Sequence, residues 1–155
     1  MAEVLAIADD LTGALEVGAL FAESGVANVV TTRSTLDRDP STADFPVCVV
    51  DLESRHLAAE DAAKKVGDVA TELRQAGGRG LYKKTDSTLR GPIGAELNAI
   101  MAAWPDRSLV FVPAYPRLGR VVRGGRLFIG GRPLENTDFS HDPLQPVYSG
   151  WLREI

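Results

Sequence analysis

At 155 residues the chain is sized for about one domain, and its hydrophobic fraction of 45% and charged fraction of 25% are those of an ordinary soluble globular protein. A formal charge of -4 argues against nucleic acid as the default partner, because phosphate-backbone binding usually wants a basic surface. No apolar run approaches the roughly 18 residues of a membrane span, and no basic stretch leads into an apolar export segment. No membrane partner and a cytoplasmic location are therefore expected.

Glu3 to Ala8 is a short apolar run closed by Asp9-Asp10 and reads as a buried strand. Thr12 to Ser24 is rich in Ala and Leu and reads as a helix, with Gly25 as its C-cap. Val26 to Thr32 reads as a second strand, and Ser34 to Phe45, with no period, as a loop. Val47 to Val50 is a third buried strand ending at Asp51. The single cysteine, Cys48, lies within it, which excludes an internal disulfide and suggests a core thiol rather than a nucleophile. Between Leu57 and Ala76, seven apolar residues from Ala59 to Leu73 share one helical face, and Gly77-Gly78 ends that helix. Gly80 to Lys84 reads as a fourth strand, Pro92 to Ala103 as a third helix with proline at its first position, and Ser108 to Val112 as a fifth strand stopped by Pro113.

This alternation predicts an α/β fold: a largely parallel sheet with flanking helices in a Rossmann-like three-layer arrangement. Residues 1–113 would form its core. Residues 114–155 hold four of the nine prolines and many Gly and Arg, and would form an appended C-terminal β-hairpin or loop arm. Gly124-Gly125 and Gly130-Gly131 break the run from Val121 to Pro133 and mark the hairpin turns.

Ligands in open parallel sheets bind beyond the carboxyl ends of the strands, and four polar clusters follow predicted strands here. They are Asp9 to Thr12, Asp51 to Arg55, Lys84 to Arg90 and Pro113 to Arg120. Asp9-Asp10 would place one carboxylate in the cleft and the other at a turn, for hydroxyl binding, metal binding, general base work or simply a helix N-cap. A dehalogenase nucleophile would need Asp-x-Asp, and the chain has Asp-Asp-x-Thr. Lys83 and Lys84 point to opposite faces, and Lys84 just before the turn suits a ligand anion. Arg90 offers a planar fork for a carboxylate or phosphate, or else pairs with Asp86. Arg55 by itself reads as a surface arginine. Arg117, Arg120, Arg123 and Arg126 suit an anion-facing flap or a solvated hairpin face equally well. His56 and His141 lack sequence neighbours that suggest a relay, and with one cysteine they make no metal site; none is expected.

Ile7 to Ala14, Lys84 to Gly91 and Pro113-Ala114-Tyr115-Pro116 occur in that order, with Ser54-Arg55, Gly119-Arg120 and Thr137 to Pro143 alongside. With these motifs the chain resembles, over nearly its whole length, the N-terminal domain of the four-carbon acid sugar kinase family, whose members include 3-oxo-tetronate, threonate and erythronate kinases. The resemblance implies ATP-dependent phosphorylation of a sugar acid, the N-terminal domain acting as the substrate-binding half. ATP and Mg2+ would serve the complete enzyme, with no cofactor held tightly by this part. The matching positions are Asp9, Asp10, Arg55, Lys84, Asp86, Ser87 and Arg90. Arg90 and Lys84 suit the substrate carboxylate, and Asp9, Asp10 and Ser87 its hydroxyls. Asp86 or Asp10 would accept the proton of the attacking hydroxyl.

Members of that family are much longer. The C-terminal nucleotide-binding domain is absent from these residues, and no Gly-x-x-x-x-Gly-Lys loop replaces it, so turnover is expected only with that domain or a separate subunit. The alternative is a stand-alone, non-catalytic sugar-acid-binding or interaction module, whose exposed apolar edges a homodimer would cover. A metal hydrolase built on Asp9-Asp10 is the least favoured reading.

Overall fold

Four parallel strands make the central sheet in the computed structural model, which describes residues 4–32 and 45–155. Strands β1 (Val4–Ala8), β2 (Asn28–Thr31), β3 (Val47–Asp51) and β4 (Gly80–Lys84) lie in the order β2-β3-β1-β4. The register sets Ala8 level with Asp51 on one side and with Lys84 on the other. Three strand ends therefore stop at the same height. The loop predicted at 34–45 falls, apart from Phe45, outside the described residues, as does Glu3.

Helices cover both faces, as the α/β reading requires. Ala6, Ala8, Val47 and Val49 pack on Ala14 and Val17 of α1 (Leu11–Glu23). Leu5, Ile7, Cys48 and Val50 face Val66, Val69 and Leu73 of α2 (Ala59–Gln75) together with Ile100 of α3 (Ile93–Ala103). Because successive side chains alternate, β1 and β3 bury apolar groups on both faces, which is why they read as unbroken hydrophobic runs. Burial also pushes the Cys48 thiol up, so it serves as core packing.

Both α1 and α2 end in the same backbone device. Gly25 and Gly77 take φ of 77° and 79°, and the next residues return their amides to Phe21 and Leu73. That satisfies carbonyls the helix leaves unpaired. At α3 the sequence reading is off by one residue: Pro92 is the N-cap, with ψ of 50°, and the helix begins at Ile93.

Residues 108–112 form no strand, contrary to the periodicity. They join no ladder among the described residues, and Val110 and Val112 are 82% and 72% exposed. The β-branched run has strand propensity, but propensity without a ladder partner does not make a strand. The arm does form its hairpin. Strands β5 (Arg120–Arg123), β6 (Arg126–Ile129) and β7 (Arg132–Pro133) are antiparallel, joined through Gly124-Gly125 and Gly130-Gly131, all four at positive φ. This small sheet is packed onto the main body through Leu127, Leu134 and Val147, which share a cluster with Leu89 and Ile93. Among the described residues no helix is long and apolar enough to cross a membrane.

Candidate functional site

Beyond the level ends of β1, β3 and β4 the polar clusters meet. Arg55 reaches across from the β3 side and donates from Nε and Nη2 to both oxygens of Asp9, at 2.9 and 3.0 Å, and from Nη1 to Asp10 at 2.5 Å. Its side chain is 11% exposed and that of Asp9 2%. Arg55 is thus a buried clamp and not the surface arginine its sequence context suggested. Burial would lower its pKa, but the hydrogen bonds and charge of Asp9, with Asp86 and Asp10 behind it, raise it instead.

Arg90 is engaged in the same way. Its Nε and Nη2 hold the two oxygens of Asp86 at 2.7 and 3.2 Å, and Nη1 reaches Asp142 at 3.0 Å. Thr88 adds a hydroxyl donor to Asp86. Burial pushes the Asp86 carboxyl up, but the Arg90 and Thr88 hydrogen bonds and the Arg90 and Arg55 charges more than reverse that, holding it at about 2. Of the two pairings the sequence left open for Arg90, the internal one with Asp86 is present.

Lys84 is held more loosely. Its ammonium lies 3.3 Å from Glu16 and 3.2 Å from the Thr85 carbonyl. Both are long for a charged donor, whose bonds usually run about 2.7–2.9 Å. Ser87 accepts from Arg120 at 2.6 Å. Lys84 and Ser87 line a cavity of about 700 Å³ together with Thr85, Tyr115, Arg117, Met101, Trp104 and Val110. Asp9, Asp10, Arg55, Asp86 and Arg90 do not line it. Asp10 nevertheless adjoins Lys84, because only Gly13 lies between them.

Gly13 donates its amide to Asp10 Oδ1 at 2.7 Å, the cap of α1. A Cβ there would sit 2.8 Å from that oxygen and 3.2 Å from Lys84 Cγ. Alanine in a helix normally gains about 1 kcal/mol over glycine. Here the sign should reverse: Gly13→Ala is expected to lose about 1 kcal/mol, because the cap is displaced. Urea denaturation of the two chains decides it, and a stabilised variant would refute the close packing.

Several contributors went unread in the sequence. Glu16 of α1 pairs with Lys84 and hydrogen-bonds the Tyr115 hydroxyl, raising the tyrosine's pKa. Asp142 and Gln145 come from the arm, the latter bonding the Arg55 carbonyl. Glu96 is fully buried and pairs with Lys83. Its signal was present: a glutamate three residues after Ile93 and four before Ile100 sits in an apolar helical stripe.

The rim carboxylates Asp9, Asp10 and Asp86 are each taken by a guanidinium, and no group of three or more His, Cys, Asp or Glu is arranged for an ion among the described residues. Asp51 Oδ2, buried without a hydrogen-bond partner among the described residues, is the exception in kind. Burial raises that carboxyl, the Glu53 amide opposes this, and the charges of Glu53 and Asp10 add to it.

Comparison with known proteins adds an independent line. Residues 4–155 match a family described as the sugar-binding N-terminal domain. A D-threonate kinase of Bordetella bronchiseptica is 41% identical over 91% of this chain and 36% of its own length. A D-erythronate kinase of Heliobacterium modesticaldum is 37% identical over 100% of this chain and 36% of its own. A solved Bordetella bronchiseptica protein, a domain of unknown function crystallised with bound citrate as a domain-swapped dimer, superposes with a TM-score of 0.94 at 38% identity, covering 99% of this chain and 40% of that one. The chain spans little more than a third of the length of these relatives.

Proposed function

Because the chain belongs to the family of sugar-binding N-terminal domains, we propose that it is the substrate-binding part of a tetronate-type kinase and holds a four-carbon sugar acid at the mouth of the β4 cavity. The observation that carries this reading is Lys84: a lysine at a strand end that lines the cavity with Ser87, its ammonium held among the described residues by two long contacts. A ligand carboxylate would exchange for those contacts without loss, with Arg120 beside it through Ser87. Asp10 and Ser87 would take the ligand hydroxyls.

The two arginines have a different task in this reading. Arg55 and Arg90 each turn their guanidinium fork onto aspartates of the rim, so they orient carboxylates and leave the ligand anion to Lys84. Asp10, the more exposed partner at 28%, is the proposed proton acceptor for the attacking hydroxyl. Asp86 is a poor base at neutral pH, since a carboxyl held at about 2 gives little driving force for taking a proton. ATP is the proposed phosphoryl donor. It would be bound by a nucleotide-binding part, on the same polypeptide or a separate subunit, as the relatives' greater length suggests. A homodimer is the proposed assembly, in keeping with the domain-swapped relative.

Calorimetric titration with D-threonate, D-erythronate and 3-oxo-tetronate tests the site. Saturable binding to the wild-type chain is expected, and Lys84→Ala should weaken it by about tenfold or more, the cost of losing a charged hydrogen bond. Binding that survives Lys84→Ala unchanged would place the ligand elsewhere.

A further inference from the structure

Beneath the rim lies a second polar group. Glu96 of α3 is 1% exposed; its Oε2 is 3.0 Å from Lys83 Nζ, and its Oε1 accepts from the Ser54 hydroxyl. The Lys83 side chain is 5% exposed and Ser54 is fully buried. Lys83 also donates to the Lys84 carbonyl at 3.3 Å. One carboxylate thus joins three elements: the loop after β3, the end of β4 and the first turns of α3.

Stability alone gives little reason to keep such a group. A buried ion pair is often matched by apolar residues of similar volume, whereas its geometry is directional in a way apolar packing is not. Two of the group's members each precede a rim residue. Ser54 is followed by Arg55 and Lys83 by Lys84: Lys83 and Lys84 end strand β4, where adjacent side chains face opposite ways, and Ser54 opens the turn that carries Arg55, its carbonyl accepting from the Leu57 amide at 3.1 Å. Anchoring Lys83 therefore fixes where Lys84 emerges, and anchoring Ser54 fixes the start of the turn from which Arg55 emerges.

We propose that Ser54, Glu96 and Lys83 are positioning residues, with Glu96 as the hub that sets the separation and aim of Arg55 and Lys84. The affinity part of this inference rests on the tetronate reading; the geometric part does not. Glu96 takes both partners with separate oxygens, so losing either one frees one side of the rim while the other stays tied. Ser54 governs Arg55, and with it the carboxylates of Asp9 and Asp10 that Arg55 clamps. Lys83 governs Lys84.

Two variants separate positioning from mere support. Ser54→Ala removes one hydroxyl, and the paired Lys83→Met with Glu96→Leu removes both charges together so that none is left buried alone. Thermal melts establish folding, and the nuclear magnetic resonance signal of the Arg55 Nε proton reports its clamp without any ligand. In folded Ser54→Ala, that proton is expected to exchange with solvent at least about tenfold faster, and tetronate affinity to fall by a similar factor, as for other small displacements of site groups. The paired variant should melt near the wild type yet bind tetronates as weakly as Lys84→Ala. Wild-type exchange of the Arg55 proton in Ser54→Ala would overturn the proposal. So would wild-type affinity in the folded paired variant. A wild-type chain that binds none of the three acids would sink the tetronate reading, while the Arg55 proton would still decide the positioning role.

Discussion

Replacing Arg55 with alanine is expected to cost the fold on the order of 3–5 kcal/mol, the range for stripping one partner from a buried ion pair. The reason is what stays behind. Asp9 is 2% exposed and takes two of its hydrogen bonds from Arg55, so the variant leaves a carboxylate sealed from water with its charge unanswered. Asp10 loses its guanidinium partner as well, although its other oxygen still caps α1 at Gly13. Tetronate binding should vanish with it, because the proposed hydroxyl-binding and proton-accepting carboxylates would no longer be held. Pairing Arg55→Met with Asp9→Asn removes the stranded charge and should restore most of the stability without restoring binding. Urea denaturation alongside calorimetry measures both. A loss below about 1 kcal/mol in Arg55→Ala, typical of exposed pairs, would mean the clamp is a surface contact after all.

Acid should expose the second large effect. Asp86 is 7% exposed and its carboxyl is held at about 2 against an ordinary value of 3.8. A folded-state pKa below the unfolded one stabilises the fold fully at pH values above about 4, and the contribution is lost as pH falls toward 2. The size of the displacement corresponds to roughly 2–3 kcal/mol. Asp86→Asn lacks this contribution at every pH. The stability gap between the two chains should therefore be about 2–3 kcal/mol at neutral pH and close steadily between about pH 4 and pH 2. Other groups titrate in the same window: Asp142, lowered chiefly by backbone amides of Gln145 and Leu144, acts in the same sense, and Asp51, raised by burial, in the opposite one. Both are common to wild type and variant, so the difference isolates Asp86. A gap of equal size at pH 6 and pH 2.5 would show that Asp86 is not held by Arg90 in solution.

The two effects share a cause. Arg90, which offered a ligand fork from the sequence, and Arg55, which read as a surface arginine, are both occupied by aspartates, Arg90 by Asp86 of its own turn and Arg55 by Asp9 and Asp10 across the rim. Lys84 is held differently, by a 3.3 Å pair with Glu16 and a 3.2 Å bond to the Thr85 carbonyl. Tyr115 and Arg117 border the same space and bring the arm to the site.

Local chemistry carried much of this into the sequence. β1 and β3 are short apolar runs because both faces are covered, α2 shows its buried stripe at helical spacing, and glycines mark the ends of α1 and α2 and both hairpin turns. The motifs at Asp9-Asp10 and from Lys84 to Gly91 marked the rim, since each sits at the carboxyl end of a strand of the parallel sheet. What the residues could not convey is which charge meets which. Arg55 and Asp9 are 46 positions apart, Arg90 and Asp142 are 52 apart, and Ser54 and Glu96 are 42 apart. The first and third follow from strand order β2-β3-β1-β4, which sets β1 between β3 and β4 and so brings three loops to one edge, and the second from the arm packing back onto Leu89 and Ile93. Residues 108–112 join no ladder among the described residues, where propensity alone had promised a strand. Periodicity and turn chemistry act over a few residues and are written in the chain; ion pairing and burial depend on distances that exist only once the sheet has assembled.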